Sequence, residues 1–296
     1  MPSVQITTST NLADYQKILI AEALLEAEHE AIMENAQLLT IFRLPKGAKQ
    51  YNLPLFDRLA TAAALTEGVA LSATAAWTTT TKTLTVSEVG LMIILSQDLI
   101  DQSDPNVLAI AGKQLGQSVE RKADADILAN FDNFGTSLGS AGTAITIGHV
   151  TAAIARLKSG LKATLRNPAP DPLNVVLHPI QIRVILNALG TTGTYPIPEG
   201  LSAEIVRQYY AANLKEWGVN IWRDGNFSRD ANDDVKGGVF SKLSLYLLTG
   251  RDYQVKEEED IYLRARALVA TRRYSTGEIF DEYGVEMFFD AANPAS

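Results

Sequence analysis

The sequence predicts an α+β fold that carries one long protruding segment. Three features lead there. Apolar residues recur at steps of three or four across residues 105–133, as one long helix requires. Residues 238–290 alternate apolar and polar side chains in several runs, the period of half-buried strands. Residues 59–82 hold a single acid, Glu67, and a single base, Lys82, among many Ala and Thr. Such a stretch cannot build a dense core of its own, and a loop of that length inside a compact domain is exceptional. It reads as an arm that covers a neighbour.

In chain order, residues 11–40 place Tyr15, Ile18, Leu25, Ile32, Ala36 and Leu39 near helical spacing, with Glu22, Glu26, Glu30 and Glu34 mostly elsewhere. An amphipathic helix capped by Thr10 or Asn11 is expected, docked either on its own core or on something outside its domain. Strand-like alternation follows through Phe42, Leu44, Tyr51, Leu53 and Leu55, interrupted by the turn at Pro45 and Gly47. Residues 83–95 alternate and then become densely apolar from Val89 onward, as in a strand entering a packed core. The protruding segment therefore folds back as a two-stranded excursion, which is marginal in isolation and needs a partner surface.

Pro105 behind Ser103 and Asp104 is a helix start, because proline at the first helical position loses no needed hydrogen bond. From there Leu108, Ala111, Leu115, Val119, Ala123, Ile127 and Phe131 form the stripe of a spine about 40 Å long. The Gly- and Ser-rich FGTSLGSAGT reads as a flexible break. Beyond it a helix is expected over 149–165, then a Pro-rich turn, the buried strand LNVVLHP, a helix from Pro179 through Leu189, an exposed loop over 190–200, a helix over 202–217 and the strand VNIWRD. This alternation describes an α/β lobe. Two closing strands, 265–274 and 278–289, must pair with something earlier, and the strand before the spine is the expected partner.

The order of elements resembles the tailed-phage major capsid proteins of the Hong Kong 97-type fold, over essentially the whole chain. The acid-rich SQDLIDQSD leading into a helix that bears ERKADADILANF is similar to the junction between their extended E-loop and spine helix. LNVVLHPIQIRVILNAL resembles the strand and helix that lead into their axial A-domain, and the segment from GGVFSKLSLYLL to GVEMFF resembles the strands that return to their peripheral P-domain. The resemblance implies an N-terminal arm over residues 1–48, an E-loop over 49–92, a P-domain with the spine over 93–146, an A-domain over 147–258 and return strands over 259–296. It also implies a coat subunit of the virion capsid that assembles with itself as hexamers and pentamers in the host cytoplasm, around double-stranded DNA. Leu65, Val69, Trp77, Lys82, Tyr195 and Ile197 are then the expected subunit-interface residues, and Leu108, Leu115, Val119 and Ile127 the core of the spine. With Met1 close to the arm there is no room for a cleaved scaffolding segment, so a scaffolding protein in trans, or none, is expected, together with a portal and, in some members, a decoration protein. Lys82 is the only lysine between Gln50 and Lys113 and so the E-loop candidate that a covalent cross-link between subunits could use, and a lone loop lysine is ordinarily solvated.

Composition narrows the alternatives. With 296 residues, 46% of them apolar, the chain can bury a sizeable core. A net charge of -8 argues against a surface built to neutralise phosphates, so packaged DNA is expected to meet this wall through weak, non-specific contact. The absence of cysteine excludes disulfides, thiolate metal sites and cysteine nucleophiles. No run approaches the roughly 20 apolar residues of a membrane-spanning helix, and MPSVQITTSTN has no signal-peptide pattern.

Catalytic and cofactor motifs fail on inspection, so neither an enzyme nor a cofactor is expected. His29 and Glu30 open an HExxH-like pattern, but Met33 stands where the second histidine belongs. His149 and His178 are isolated and suit a helix cap or a strand end. Ser159 and Lys162 match SxxK without its companion motifs and read as helix surface. Asp230, Asn232 and Asp234 imitate a calcium loop, but Val235 and Ser241 replace its glycine and glutamate, which leaves a polar turn. The run Lys256 to Asp260 reads as a solvated hairpin. An encapsulin-like compartment holding protein cargo is the second reading. A soluble α/β hydrolase or binding protein is the third, and no nucleophile, base and orienter together support it.

Overall fold

The computed structural model describes residues 31–56, 62, 64, 67, 79–102, 107–159, 168–188 and 219–293. Two main sheets flank the spine. The first has the order β1-β9-β10-β4, built from β1 (Thr40–Arg43), β4 (Ser87–Ser96), β9 (Leu245–Asp260) and β10 (Ala265–Glu278). The second has the order β5-β11-β8-β6-β7, built from β5 (Ser137–Gly139), β6 (Leu173–Leu177), β7 (Val219–Arg223), β8 (Asp234–Ser241) and β11 (Gly284–Asp290). A separate antiparallel pair, β2 (Gln50–Phe56) and β3 (Thr79–Thr85), projects from the first.

After the short helix α1 (Gln97–Gln102), the spine α2 (Val107–Leu128) runs about 33 Å at the standard rise and tightens into a 3₁₀ turn over Ala129–Asn133. Its one apolar stripe serves two cores. Ala111, Leu115 and Val119 pack on Leu95, Leu99, Leu268 and Ala270 of the first sheet and α1. One turn further on, Ala123, Ile127 and Phe131 join Val176, Val235 and Phe240 of the second sheet. Phe131 is fully buried, with ring centroids of Phe240 and Phe134 at 5.2 and 5.9 Å. Helices α3 (Ile147–Ser159) and α4 (Pro179–Ala188) lie on the opposite face of the second sheet, where Val150, Ala153, Ile154 and Leu157 of α3 meet Leu173, Val175, Val285, Met287 and Phe289. Strand β6 (LNVVL) is buried at every residue, as in a strand covered on both faces, and its one polar side chain, Asn174, donates to the Gln37 carbonyl at 3.1 Å.

Four expectations change. Residues 31–39 of the expected N-terminal helix are not helical; residues 1–30 lie outside the described residues. The Asn35 side chain accepts the Gln37 N–H at 2.9 Å and its carbonyl accepts the Leu38 N–H at 2.9 Å, so a local turn competes with the helix. Met33, Leu38 and Leu39 are completely buried, and β1 follows, parallel to β9. Second, the strand before the spine pairs with β10 alone, in antiparallel register from Ala265↔Ser96 to Tyr274↔Ser87. The last strand instead crosses to the second sheet: Ile279 N–H donates to Ser244 at 2.6 Å, a 3₁₀ turn at Asp281–Tyr283 follows, and β11 pairs with β8. Third, the supposed flexible break contains β5, parallel to β11. Gly139 sits there at φ 95° with Phe288 O only 2.3 Å from where a Cβ would stand, so only glycine fits. Fourth, the expected limits at 92/93 and 258/259 fall inside β4 and β9. The helix expected over 202–217 and the loop over 190–200 lie outside the described residues.

Candidate assembly surfaces

The β2–β3 pair turns one face toward its own subunit. Leu84 and Val86 are buried against Tyr246, Leu248 and Ile279, with Phe42, Tyr51, Leu53 and Leu55 half-buried around them, and the Phe42 and Tyr51 rings stack at 5.4 Å. The other face is exposed along both strands, and Phe56 at the far end is 51% exposed. Two strands on their own are marginal in water. Lys82 lies on this pair, and its ammonium is 3.7 Å from Glu278 of its own subunit, both about one-third exposed. A pair so solvated is worth no more than about 1 kcal/mol.

A second display surface is the tip of the β9–β10 hairpin. Asp260 accepts the N–H groups of Tyr262 and Leu263 at 2.9 and 3.1 Å, and Arg264 takes a left-handed φ of 48°. That fixed turn holds Ile261 and Tyr262 out, 81% and 98% exposed. The run Lys256 to Asp260 lies along the same end and is largely exposed. On the edge strand β4, Leu91 and Met92 are half-exposed as well. Clustered large apolar side chains in water mark contact surfaces. The apolar triplet Ile261 to Leu263 was missed by reading the neighbouring charges as a solvated hairpin; three large apolar residues at a turn were the available signal.

The other expected site residues are placed as follows. Leu115, Val119 and Ile127 are at most 2% exposed along the spine, and Leu108 lies on the same helix. Leu65, Val69, Trp77, Tyr195 and Ile197 lie outside the described residues, as do His29 and Lys162. His149 sits at the start of α3, hydrogen-bonded to Thr146 and 4.7 Å from the Phe289 ring. His178 ends β6 and caps α4, its Nδ1 accepting the Ile180 N–H at 3.3 Å. Ser159 Oγ donates to the Arg156 carbonyl of its own helix. Asp230 accepts the N–H groups of Asn232 and Asp234 at 2.8 Å each, a self-satisfied polar turn. Among the described residues no group of three His, Asp or Glu could hold a metal ion. A cavity of about 410 Å³ beside the spine is lined by Leu128, Phe227, Arg229, Asp234, Lys236 and Phe288, among others. Lys236 is paired there with Asp132.

The residues of this framework are matched by a family model. The model described as phage capsid protein covers residues 78–285. The chain belongs to that family. The fold of this capsid protein is shared with solved heads at low identity. The head structure of Helicobacter pylori bacteriophage KHP40 matches at TM-score 0.67 and 8% identity, over 98% of this chain and 100% of that one. Mycobacterium phage Che8 matches at 0.65 and 14%, over 97% and 96%. The mature capsid of bacteriophage PhiM1 matches at 0.62 and 14%, over 90% and 89%. A search of curated protein sequences returns no match. The Hong Kong 97-type fold expected from the sequence is therefore the fold of the capsid protein.

Proposed function

We propose that the chain is the major coat subunit of a tailed-phage head and closes with copies of itself into an icosahedral shell around double-stranded DNA. The observation that carries this is the match of the capsid family model to residues 78–285, joined to whole-chain likeness to assembled heads. The mechanism is geometric. The β2–β3 excursion, with Leu65, Val69, Trp77 and Lys82 on or beyond it, lies over one neighbour, and the N-terminal arm lies along another. Burial of apolar surface that is open on the isolated subunit drives the closure, over an area larger than an ordinary pairwise contact. The acidic wall leaves DNA free to slide while a motor packs it, so the genome is held by confinement more than by attraction. A scaffolding protein in trans sets the curvature in the host cytoplasm, and a portal occupies one vertex.

Electron microscopy of the expressed protein tests the reading. Hollow or DNA-filled isometric shells support it; shells filled with protein cargo, or no shells even when a scaffolding protein is co-expressed, overturn it.

Residues 190–200 are placed at the symmetry axis of each capsomer, where the two prolines of TTGTYPIPE fix a loop that five or six copies can share. Tyr195→Cys is expected to give disulfide-linked oligomers from intact shells on mild oxidation, because the chain has no competing thiol. Only monomeric bands, from shells whose engineered thiol still reacts after denaturation, would remove Tyr195 and Ile197 from the axis.

A further inference from the structure

Three segments far apart in sequence converge on two carboxyl groups in the interior. Asp124 on the spine and Asp224, just after β7, are both 0% exposed and in direct side-chain contact. Asp124 Oδ1 accepts the Met33 backbone N–H at 2.9 Å, and its Oδ2 accepts Asn226 Nδ2 at 3.1 Å. Asp224 Oδ1 accepts the Asn226 N–H at 2.8 Å, while Asn226 Nδ2 also donates to the Arg121 carbonyl. Two buried carboxylates in contact repel strongly when both are ionised, so such a pair holds one proton between them.

The surrounding charges are committed elsewhere. His178, beyond β6, is held below its ordinary value by burial and by Arg229, and is drawn back up by Asp224. Arg229 faces His178 Nε2 at 3.3 Å and Asp233 at 3.7 Å. On the spine, Asp126 takes Lys122 and the Tyr274 hydroxyl. From the N-terminal segment, Glu34 is bound by Arg272 of β10.

We propose that the Asp124–Asp224 pair is a proton-operated latch that fastens residues 31–39, from which residues 1–30 lead away, to the spine helix. With the proton in place one carboxyl donates to the other, and Met33 and Asn226 stay seated. When the proton passes to bulk water, the repulsion is relieved by drawing the residue 224 loop and the Met33 segment off the helix. Burial first, and the Asp224 charge second, push the Asp124 carboxyl up to about 6 from 3.8, against the pull of the Met33 and Asn226 hydrogen bonds. The sign follows from the raised value: the closed latch holds its proton more tightly than the open one. Its advantage is complete below about pH 4, is lost as pH climbs through about 6, and does not return above that.

Hydrogen exchange of the full-length protein, read on peptides covering residues 31–39 and corrected for intrinsic rates, tests this between pH 4.5 and 7.5. Protection in the unsubstituted chain is expected to fall about tenfold or more across that range. Asp224→Asn keeps an oxygen for the Asn226 N–H and donates permanently to Asp124, so its protection should fall clearly less with pH than in the unsubstituted chain, burial of Asp124 alone remaining. Unchanged protection in the original chain, or a wild-type slope in Asp224→Asn, overturns the latch. Should Asp224→Asn fail to fold, Asp124→Asn, which retains an oxygen for Met33, must flatten the same profile, and a persisting slope there overturns it equally. Shell formation is not the readout, so this outcome is independent of the assembly reading.

Discussion

Replacing residues 57–78 by a two-residue Asn-Gly turn is expected to leave a folded subunit that makes no shells. Phe56 and Thr79 stand directly opposite each other in the β2–β3 register, so a tight turn can join them without disturbing the pair. The base of the excursion, with Leu84, Val86 and Tyr51, is untouched and keeps its packing on Leu248 and Ile279. Cooperative melting should therefore persist while particles vanish from micrographs and from sedimentation profiles. Normal shells from this variant would refute the view that the excursion covers a neighbour.

Leu115→Ala is expected to destabilise the subunit by about 2–5 kcal/mol. The side chain is 0% exposed between Leu95, Leu99, Leu268 and Ala270. The cavity left behind has little chance to close. Tyr253 of β9 already rests against the spine, donating to the Gly112 carbonyl at 3.1 Å, and its hydroxyl lies 2.9 Å from where a Cβ on Gly116 would stand. Sheet and helix are thus already in contact beside this site. Thermal or urea melting of the purified variant checks this, and an unchanged midpoint would show that this face of the helix is not buried as described.

The spine and β6 were legible because burial imposes a period that the residues themselves display. A stripe at Leu115, Val119, Ile127 and Phe131 has no other helical meaning, and the mostly apolar LNVVL bounded by turn formers has little choice. The segment around Met33, Leu38 and Leu39 was not legible, since the same spacing suits a helix face or a buried turn. What decides it is the carboxyl of Asp124, 91 residues away. The partner of β11 was equally hidden: GVEMFFD alternates in the same way whichever sheet accepts it, and the choice is made by the turn at Ile279 and by Phe289 and Met287 filling the space against α3. The reading of residues 59–82 as an arm rests on their poverty in charge and bulk alone, since most of them lie outside the described residues. The hairpin tip was not read, because Ile261 and Tyr262 look ordinary until Asp260 is seen holding their turn open to water.

The β9–β10 hairpin also has a mechanical meaning. Its strands run about 50 Å from a base buried at Leu245 to Leu248 to the exposed tip at Tyr262. The ladder bonds between antiparallel strands lie across the strand direction. A pull along the hairpin loads many of them at once, in shear, and reaches the interior as a single tug. A sideways pull at the tip separates them one after another. A subunit gripped at this point resists stretching far better than peeling, and a shell joined through it would be stiff in its plane and weakest where a tip is prised outward.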